Sequence, residues 1–416
     1  MINYSTLGSN LKRGILNFCS KLGKNLNKPS QKFITDMIYG ILASRSSYLT
    51  AMARKLNEKI ALDKTVERLS RNLMNFEDTD VLIDNYMSIV KSHFDESTVL
   101  LVDDSDITKQ YSHKLEGLCR IRDGSTGELA DGYWFAGVSA LTKKHKQPIP
   151  VYSRVYSSLE SEYKSSNAET LKSLKFLSEH FPKTNIRAFD RGYDAGYIYD
   201  YLIPKEENFI VRLKGDRYCV YNGKLVIVNT LAKKFKGKYT LKFKTQEGRV
   251  INCKISIVPV LLPDYPDKPL NLVVCRGFGK EPLMLLTNLN NDDPRLGVTI
   301  TKVYLMRWRV EEYYRFKKQV FGFEKFLVRS LDSIRNLDML LSIAIGYIGI
   351  LSEKVNDNVE VMMIIQAAKR LYGLTQFTFY AISDGLAEIF SKSYAGIQAF
   401  FRKPVYSPQL SLFDFE

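Results

Sequence analysis

The spacing of hydrophobic and polar positions along the 416-residue chain changes several times. Up to about residue 95 the apolar positions recur at helical spacing. Leu49, Met52, Ala53 and Leu56 do so, then Val66, Leu69, Asn72 and Leu73, with a polar break between. Such a pair fits a helix-turn-helix with Arg68 and Arg71 facing DNA, and equally an ordinary helical pair with solvated arginines. From residue 98 the pattern turns to strands. Thr98–Val102 is a compact aliphatic run, and Tyr133–Leu141 and Ile149–Tyr156 read as two more strands. Ser166–His180 reads as a helix, Ile186–Phe189 as a strand, Ala195–Leu202 as a helix and Phe209–Leu213 as a strand. Three strands followed by alternating helices and strands predict an α/β fold: a mixed sheet covered by helices, in the strand order of the ribonuclease-H-like core.

Residues 216–290 are β-rich and broken by turns such as Tyr221-Asn-Gly and Asp264-Tyr-Pro-Asp. They read as a β insertion. Its basic run Lys233-Lys234-Phe235-Lys236-Gly237-Lys238 is either a DNA-backbone contact or a solvated loop. Helices are predicted over Thr301–Gln319 and Leu337–Leu351, and the tail from Pro404 has little periodicity. The expected division is a helical DNA-binding domain over 1–95, the first part of the core over 96–215, the β insertion over 216–290, the second part of the core over 291–350, and a helical C-terminal region with a flexible tail over 351–416. No internal repeat is visible.

Charge narrows the class. A formal net charge of +15 favours a polyanionic partner, nucleic acid before an anionic membrane. Cationic residues run through the first helical stretch as Lys12, Arg13, Lys21, Lys24, Lys28 and Lys32. The five cysteines form no C-x-x-C pair, which argues against a zinc ribbon and fits a reducing cytoplasm. The N-terminus has no apolar signal core, and the run Met339–Leu351 is too short to span a bilayer and reads as a buried helix.

Candidate chemistry lies in the carboxylates. Asp103 follows the first apolar strand in V-D-D-S-D-I, and Asp190 follows the fourth in F-D-R-G-Y-D, with Gly192 allowing a tight exit turn. Strands one and four are neighbours in the expected fold, so both aspartates can face one site. Asp104, Asp106 and Asp194 are nearby competitors, expected to be solvated or capping. The third element is Y-L-M-R-W-R-V-E-E-Y-Y-R-F-K-K. On one continuous helix, Tyr304, Arg307, Glu311 and Lys318 fall within about 60° of one another. Glu311 can then ligate metal, Arg307 and Lys318 can hold phosphates, and Tyr304 can bond a phosphate or pack on a sugar.

The spacing Y-x2-R-x3-E-x6-K, filled by Tyr304, Arg307, Glu311 and Lys318, resembles the signature of insertion-sequence family four of the DDE transposases. Asp103, Ser105 and Ile107 are similar to that family's D-x-S/T-x-I/L motif, and Asp190, Gly192 and Tyr193 to its D-x-G-F/Y motif. The resemblance covers about residues 95–350. It implies a ribonuclease-H-like core interrupted by a β insertion, Mg²⁺-dependent hydrolysis at transposon ends, attack of the freed 3′-hydroxyl on target DNA, and two subunits in one synaptic complex. Members often pass through a hairpin and stack a flipped base on a tryptophan of the insertion; here Trp134 and Trp308 both lie outside it. Phosphodiester hydrolysis suits two metal ions about 3.5–4 Å apart, and all-oxygen ligands suit Mg²⁺ or Mn²⁺. Asp103 is expected to bridge both ions, with Asp190 and Glu311 taking one each.

The chain ends S-P-Q-L-S-L-F-D-F-E. Gln409, Leu410, Leu412 and Phe413 resemble the peptide by which bacterial proteins dock on the replication sliding clamp, with two apolar side chains for a pocket and a glutamine for a polar one. A tail strand packed on its own domain is the alternative. The rival functions are a nuclease with the same core and no strand transfer, and a catalytically silent DNA-binding descendant of a transposase.

Overall fold

The structure is a computed structural model that describes residues 3–112, 114–124, 126–244, 250–290, 292–369, 376–394 and 396–397. The sliding-clamp peptide Gln409–Phe413 lies outside the described residues. The chain divides into two compact units. One takes residues up to Lys91, Lys114–Glu116 and the chain from Arg315 onward; the other takes Ser92–His113 and Gly117–Tyr314.

The first unit opens with five helices: α1 (Tyr4–Leu22), α2 (Lys28–Ser44), α3 (Leu49–Leu56), α4 (Leu62–Met74) and α5 (Thr79–Val90). Asn3 and Asn27 start α1 and α2 by accepting hydrogen bonds from Thr6 N and Ser30 N. Between α3 and α4, Asn57 adopts the left-handed conformation that ends the first helix.

The second unit is the mixed α/β body. Its strands are β1 (Val99–Thr108), β2 (Cys119–Arg122), β3 (Leu129–Leu141), β4 (Pro148–Tyr156), β5 (Ile186–Phe189), β6 (Phe209–Arg212), β7 (Tyr218–Tyr221), β8 (Lys224–Ile227), β9 (Tyr239–Lys244), β10 (Val250–Leu262), β11 (Tyr265–Arg276) and β12 (Leu283–Thr287). Its helices are α6 (Ser166–His180), α7 (Gly196–Leu202), α8 (Val228–Lys233) and α9 (Leu296–Leu305). β4, β3 and β1 pair antiparallel, and β1, β5 and β6 pair parallel. This is the expected ribonuclease-H-like order. β2, which the sequence pattern did not reveal, pairs with Leu129–Gly132 at the start of β3.

The β insertion extends the same sheet. β12 pairs antiparallel with β6, and β11, β10 and β7 follow outward. β7 and β8 form a tight hairpin in which Asn222 and Gly223 both have positive φ, the geometry that Asn-Gly provides most readily. Leu296, Ile300 and Tyr304, spaced one turn apart on α9, pack into a core with Leu241, Cys253, Ile255, Val273 and Leu285. The insertion strands are therefore the platform on which α9 lies.

Helix α10 (Trp308–Val320) leads out of this unit, and α11 (Leu331–Ser352), α12 (Val359–Ala367) and α13 (Phe379–Lys392) complete the helical one. α11 is long and apolar enough to cross a membrane, but 94% of its apolar window is buried among its neighbours. Asn336 on α11 donates to Leu73 O and Phe76 O at 2.9 and 3.0 Å, ending α4. Gly346 gives Tyr86 of α5 its space: a Cβ there would meet the tyrosine hydroxyl at 1.9 Å. The sequence pattern divides residues 1–95 from 351–416 as separate regions; in the structure the described helices of both, α1–α5 with α12 and α13, share one helical unit. Non-local packing onto α11, which no local pattern reports, brings them together.

Candidate active site

β1 does not stop at Asp103 as the apolar run suggested. It continues through Asp103, Asp104, Ser105 and Asp106 to Thr108, because β3 pairs with it along the whole length, from Leu100 opposite Ala140 to Thr108 opposite Gly132. Its parallel neighbour is shorter. Val102 is in register with Phe189, and β5 ends there. Asp103 and Asp190 are the next residues on two adjacent parallel strands, at the carboxyl end where an open sheet builds its sites. Asp190 caps the short turn Arg191–Tyr193 and accepts a 2.6 Å hydrogen bond from Gly192 N. Gly192 serves by its lack of a Cβ, which would sit 3.0 Å from the Asp190 carboxylate, and not by a positive φ.

Strand alternation separates the competing acids. Asp104 turns away from Asp103 toward α6, 3.5 Å from Thr170 Oγ1. Asp106 is buried, accepting from Gly124 N at 3.2 Å and Thr108 Oγ1 at 3.3 Å. Asp194 is buried as well: Tyr199 Oη, Lys214 N and Arg217 Nε donate to it at 2.7–2.8 Å. None of the three is solvated, one of the two roles expected of them, while Asp106 and Asp194 accept from backbone N–H groups as capping carboxylates do. Each is held within the unit because a carboxylate leaving water needs donors around it.

The Tyr304–Lys318 segment is not one helix. α9 ends at Leu305 and α10 begins at Trp308. Across the gap the backbone closes tighter three-residue turns, Arg307 N to Tyr304 O at 2.9 Å and Val310 N to Arg307 O at 3.0 Å. Tyr304, Arg307, Glu311 and Lys318 therefore do not share one continuous helical face as expected. Tyr304 ends α9, with its ring in the apolar core and only 6% of the residue exposed. Burial raises the pKa of its hydroxyl, which lies near Arg307, Arg212 and Asp190. This ring is core, and packing on a sugar is not open to it in this conformation. Arg307 stands in the break. Its Nη1 is 3.3 Å from Asp103 Oδ2, and its Nη2 pairs with Glu311 Oε1 on the first turn of α10. Lys318 belongs to the part of α10 in the helical unit, where it pairs with Glu324 at 2.9 Å.

Burial pushes the Asp103 carboxyl up to about 7; Arg307 opposes this, while Asp190, Asp104 and Glu311 add to it. The Arg307 guanidinium, though disfavoured by burial, is held charged by Asp103, Tyr304 and Glu311. Two further residues set this geometry. Tyr314, one turn beyond Glu311, donates to Asp103 O at 2.6 Å and packs edge-on against Phe135. Gly137 lies directly opposite Asp103 on β3, and a Cβ there would meet the Tyr314 hydroxyl at 2.4 Å. Sequence reasoning missed both. The available signal was that Tyr314 sits three residues after Glu311, one helical turn on.

The donors fit a hard divalent cation by their chemistry, since Asp103, Asp190 and Glu311 offer oxygens alone. Among the described residues no three acidic, histidine or cysteine side chains are close enough together to hold an ion. Glu311 is half-exposed and turned to Arg307. In the helical unit, the two arginines expected on a DNA-facing helix part company. Arg68 binds Asp36 at 2.9 Å and Glu58 at 2.8 Å, so its guanidinium is already engaged, while Arg71 is exposed on α4. Lys12, one of the cations spread through the first stretch, is buried, with its amine on Tyr394 O and near the rings of Tyr39 and Phe390.

A family model described as Transposase DDE domain matches residues 97–346. Among solved structures the chain is similar to a cryo-EM structure of the piggyBac transposase synaptic complex with hairpin DNA, at 9% identity and a TM-score of 0.46, covering 89% of this chain and 73% of that one. No curated protein matches the chain.

Proposed function

This chain belongs to the transposase DDE-domain family, and from that premise we propose that it cuts DNA at transposon ends and joins the freed ends to target DNA by a cut-and-paste route. The observation that carries the reading is the meeting of Asp103 and Asp190 at one strand level, with Arg307 between Asp103 and Glu311. Asp103, Asp190 and Glu311 would hold two Mg²⁺ ions, or Mn²⁺, with Asp103 shared. When bound, the ions supply charge neutralisation and an acidified water. To ligate an ion with the aspartates, Glu311 would have to part from Arg307, whose guanidinium would then be free to grip a phosphate by two parallel hydrogen bonds. Tyr314 and Gly137 fix the backbone of Asp103, and Tyr304 anchors the end of α9 so that Arg307 stays beside the acids. Arg71 and Lys318 are proposed to contact the DNA backbone. Two copies act in one synaptic complex.

The test is strand cleavage of a duplex carrying the element's terminal repeat in Mg²⁺. Glu311→Gln is expected to abolish cleavage while leaving DNA binding intact, and near-normal cleavage overturns the assignment. Joining of pre-cut ends to a target plasmid separates a transposase from a nuclease: cleavage without joining favours the nuclease. DNA binding with neither activity in the wild-type chain favours a silent descendant.

A further inference from the structure

We infer that the outer face of β9, β10 and β11, with the lysine-rich segment laid across it, is a phosphate-binding surface that grips the DNA backbone without regard to sequence; the inference rests on the DNA-processing role proposed above. Strand alternation sorts these residues. Leu241, Cys253, Ile255 and Cys275 turn inward to the core beneath α9. Thr240, Lys242, Asn252 and Lys254 turn outward and are exposed. Lys254 lies directly across from Thr240 on one side and Arg276 on the other.

The segment after α8 then crosses this face. Lys238 N donates to Ile255 O at 2.8 Å. Gly237, at φ +97°, passes so close that a Cβ would lie 2.4 Å from the Lys254 Cβ. Only glycine accepts both the conformation and the contact. Arg276 reaches up and donates to Phe235 O at 2.9 Å and Ala232 O at 2.8 Å. A guanidinium thus fixes the backbone of the segment, and Lys233, Lys234, Lys236 and Lys238 are left exposed beside Lys242 and Lys254. Among the described residues, no carboxylate forms an ion pair with any of these six.

A merely solvated loop does not require this construction. Crowding six like charges opposes folding, yet the backbone that carries them is anchored by an arginine and a glycine contact. Lysines act as point charges without the fixed fork of arginine, which suits phosphates repeated along a backbone more than one shaped ligand. The surface therefore adds sequence-independent grip, with base reading left to other parts of the chain.

The experiment measures binding of the full-length chain to a duplex of arbitrary sequence across a salt series. The variant K234Q/K236Q/K238Q/K254Q keeps the side-chain stems and is checked by thermal melting. Each lost phosphate contact lowers the slope of log affinity on log salt by about 0.9, so a fall of about 3–4 is expected if all four engage. A second variant, K175Q/K183Q, removes exposed lysines that pair with Glu179 and Glu206 elsewhere in the unit and is expected to leave the slope unchanged. If the wild-type chain binds DNA and the quadruple variant keeps its slope, the surface is refuted while the functional reading stands. An equal loss per charge in both variants reduces the effect to net charge and also overturns it. No binding by the wild-type chain overturns both.

Discussion

Arg307 lies 3.3 Å from Asp103 through one nitrogen and pairs with Glu311 through the other. One cation thus sits among the acids proposed to bind metal. Arg307→Gln removes this countercharge from a partly buried cluster. The expected outcome is tighter Mn²⁺ binding, read by calorimetry or electron paramagnetic resonance, together with weaker DNA cleavage. Unchanged Mn²⁺ affinity would show that the arginine does not compete with the ion.

Asp103 makes metal-free stability depend on pH. Its folded value of about 7 lies above the unfolded range near 4, so the native state binds the proton more tightly. The stability it confers is full below about pH 4 and is lost as pH rises through about 7, a change on the order of a few kcal/mol. Urea midpoints in chelator are expected to fall between pH 5 and pH 8, and Asp103→Asn should flatten that fall. An identical fall in the variant sinks the assignment.

Gly137 and Tyr314 act as a pair. Gly137→Ala is expected to cost about 1–3 kcal/mol by overpacking the tyrosine hydroxyl, and Tyr314→Phe about 1 kcal/mol through the lost bond to Asp103 O. Removing the hydroxyl removes the shortest of the contacts and leaves the one with Phe135 Cε1 at 2.8 Å, so the double variant should be less destabilised than the sum. Strict additivity in denaturant melts would refute the coupling.

Arg68 and Arg71 should separate by assay. Arg68→Ala removes a guanidinium paired with Asp36, whose side chain is fully buried, and is expected to cost about 2–3 kcal/mol. Arg71→Gln should leave the melting temperature unchanged and lower the salt slope of DNA binding by about 1. The reverse pattern would make Arg68 the DNA contact.

The C-terminal peptide is tested by pull-down. Replacing Gln409 and Phe413 by alanine is expected to abolish retention on an immobilised bacterial sliding clamp; retention at wild-type levels removes the clamp from the list of partners.

Much of the α/β unit was legible because buried parallel strands read as apolar runs, as in Val99–Val102 of β1 and Phe209–Val211 of β6; β5 and α6 also lie where the pattern put them, the latter started by Ser165, which accepts from Ala168 N. What local pattern missed was imposed from a distance. β1 runs on through three aspartates because β3 continues to pair with it. The helix expected over Thr301–Gln319 breaks at Met306–Arg307, while Tyr304 is held by strands roughly twenty to sixty residues earlier and Arg307 by an aspartate two hundred residues away. The ion pairs of Arg68 could not be read locally, because its partners, Asp36 and Glu58, lie 32 and 10 positions back. The positions of Asp103, Asp190 and Glu311 could be read, but not the arginine bridge, which depends on that break.

The helical unit also orders events during synthesis. α1–α5 are finished at Val90, yet α11, which ends α4 through Asn336 and takes Tyr86 of α5 against Gly346, starts at Leu331. At ribosomal speeds of about 5–20 residues per second, the first five helices wait roughly 10–50 s for their central partner. The α/β unit, whose last residue is Tyr314, is fully synthesised before α11 begins. A nascent chain interrupted before α11 therefore carries every residue of the acidic site, while the helices made first still lack their central partner.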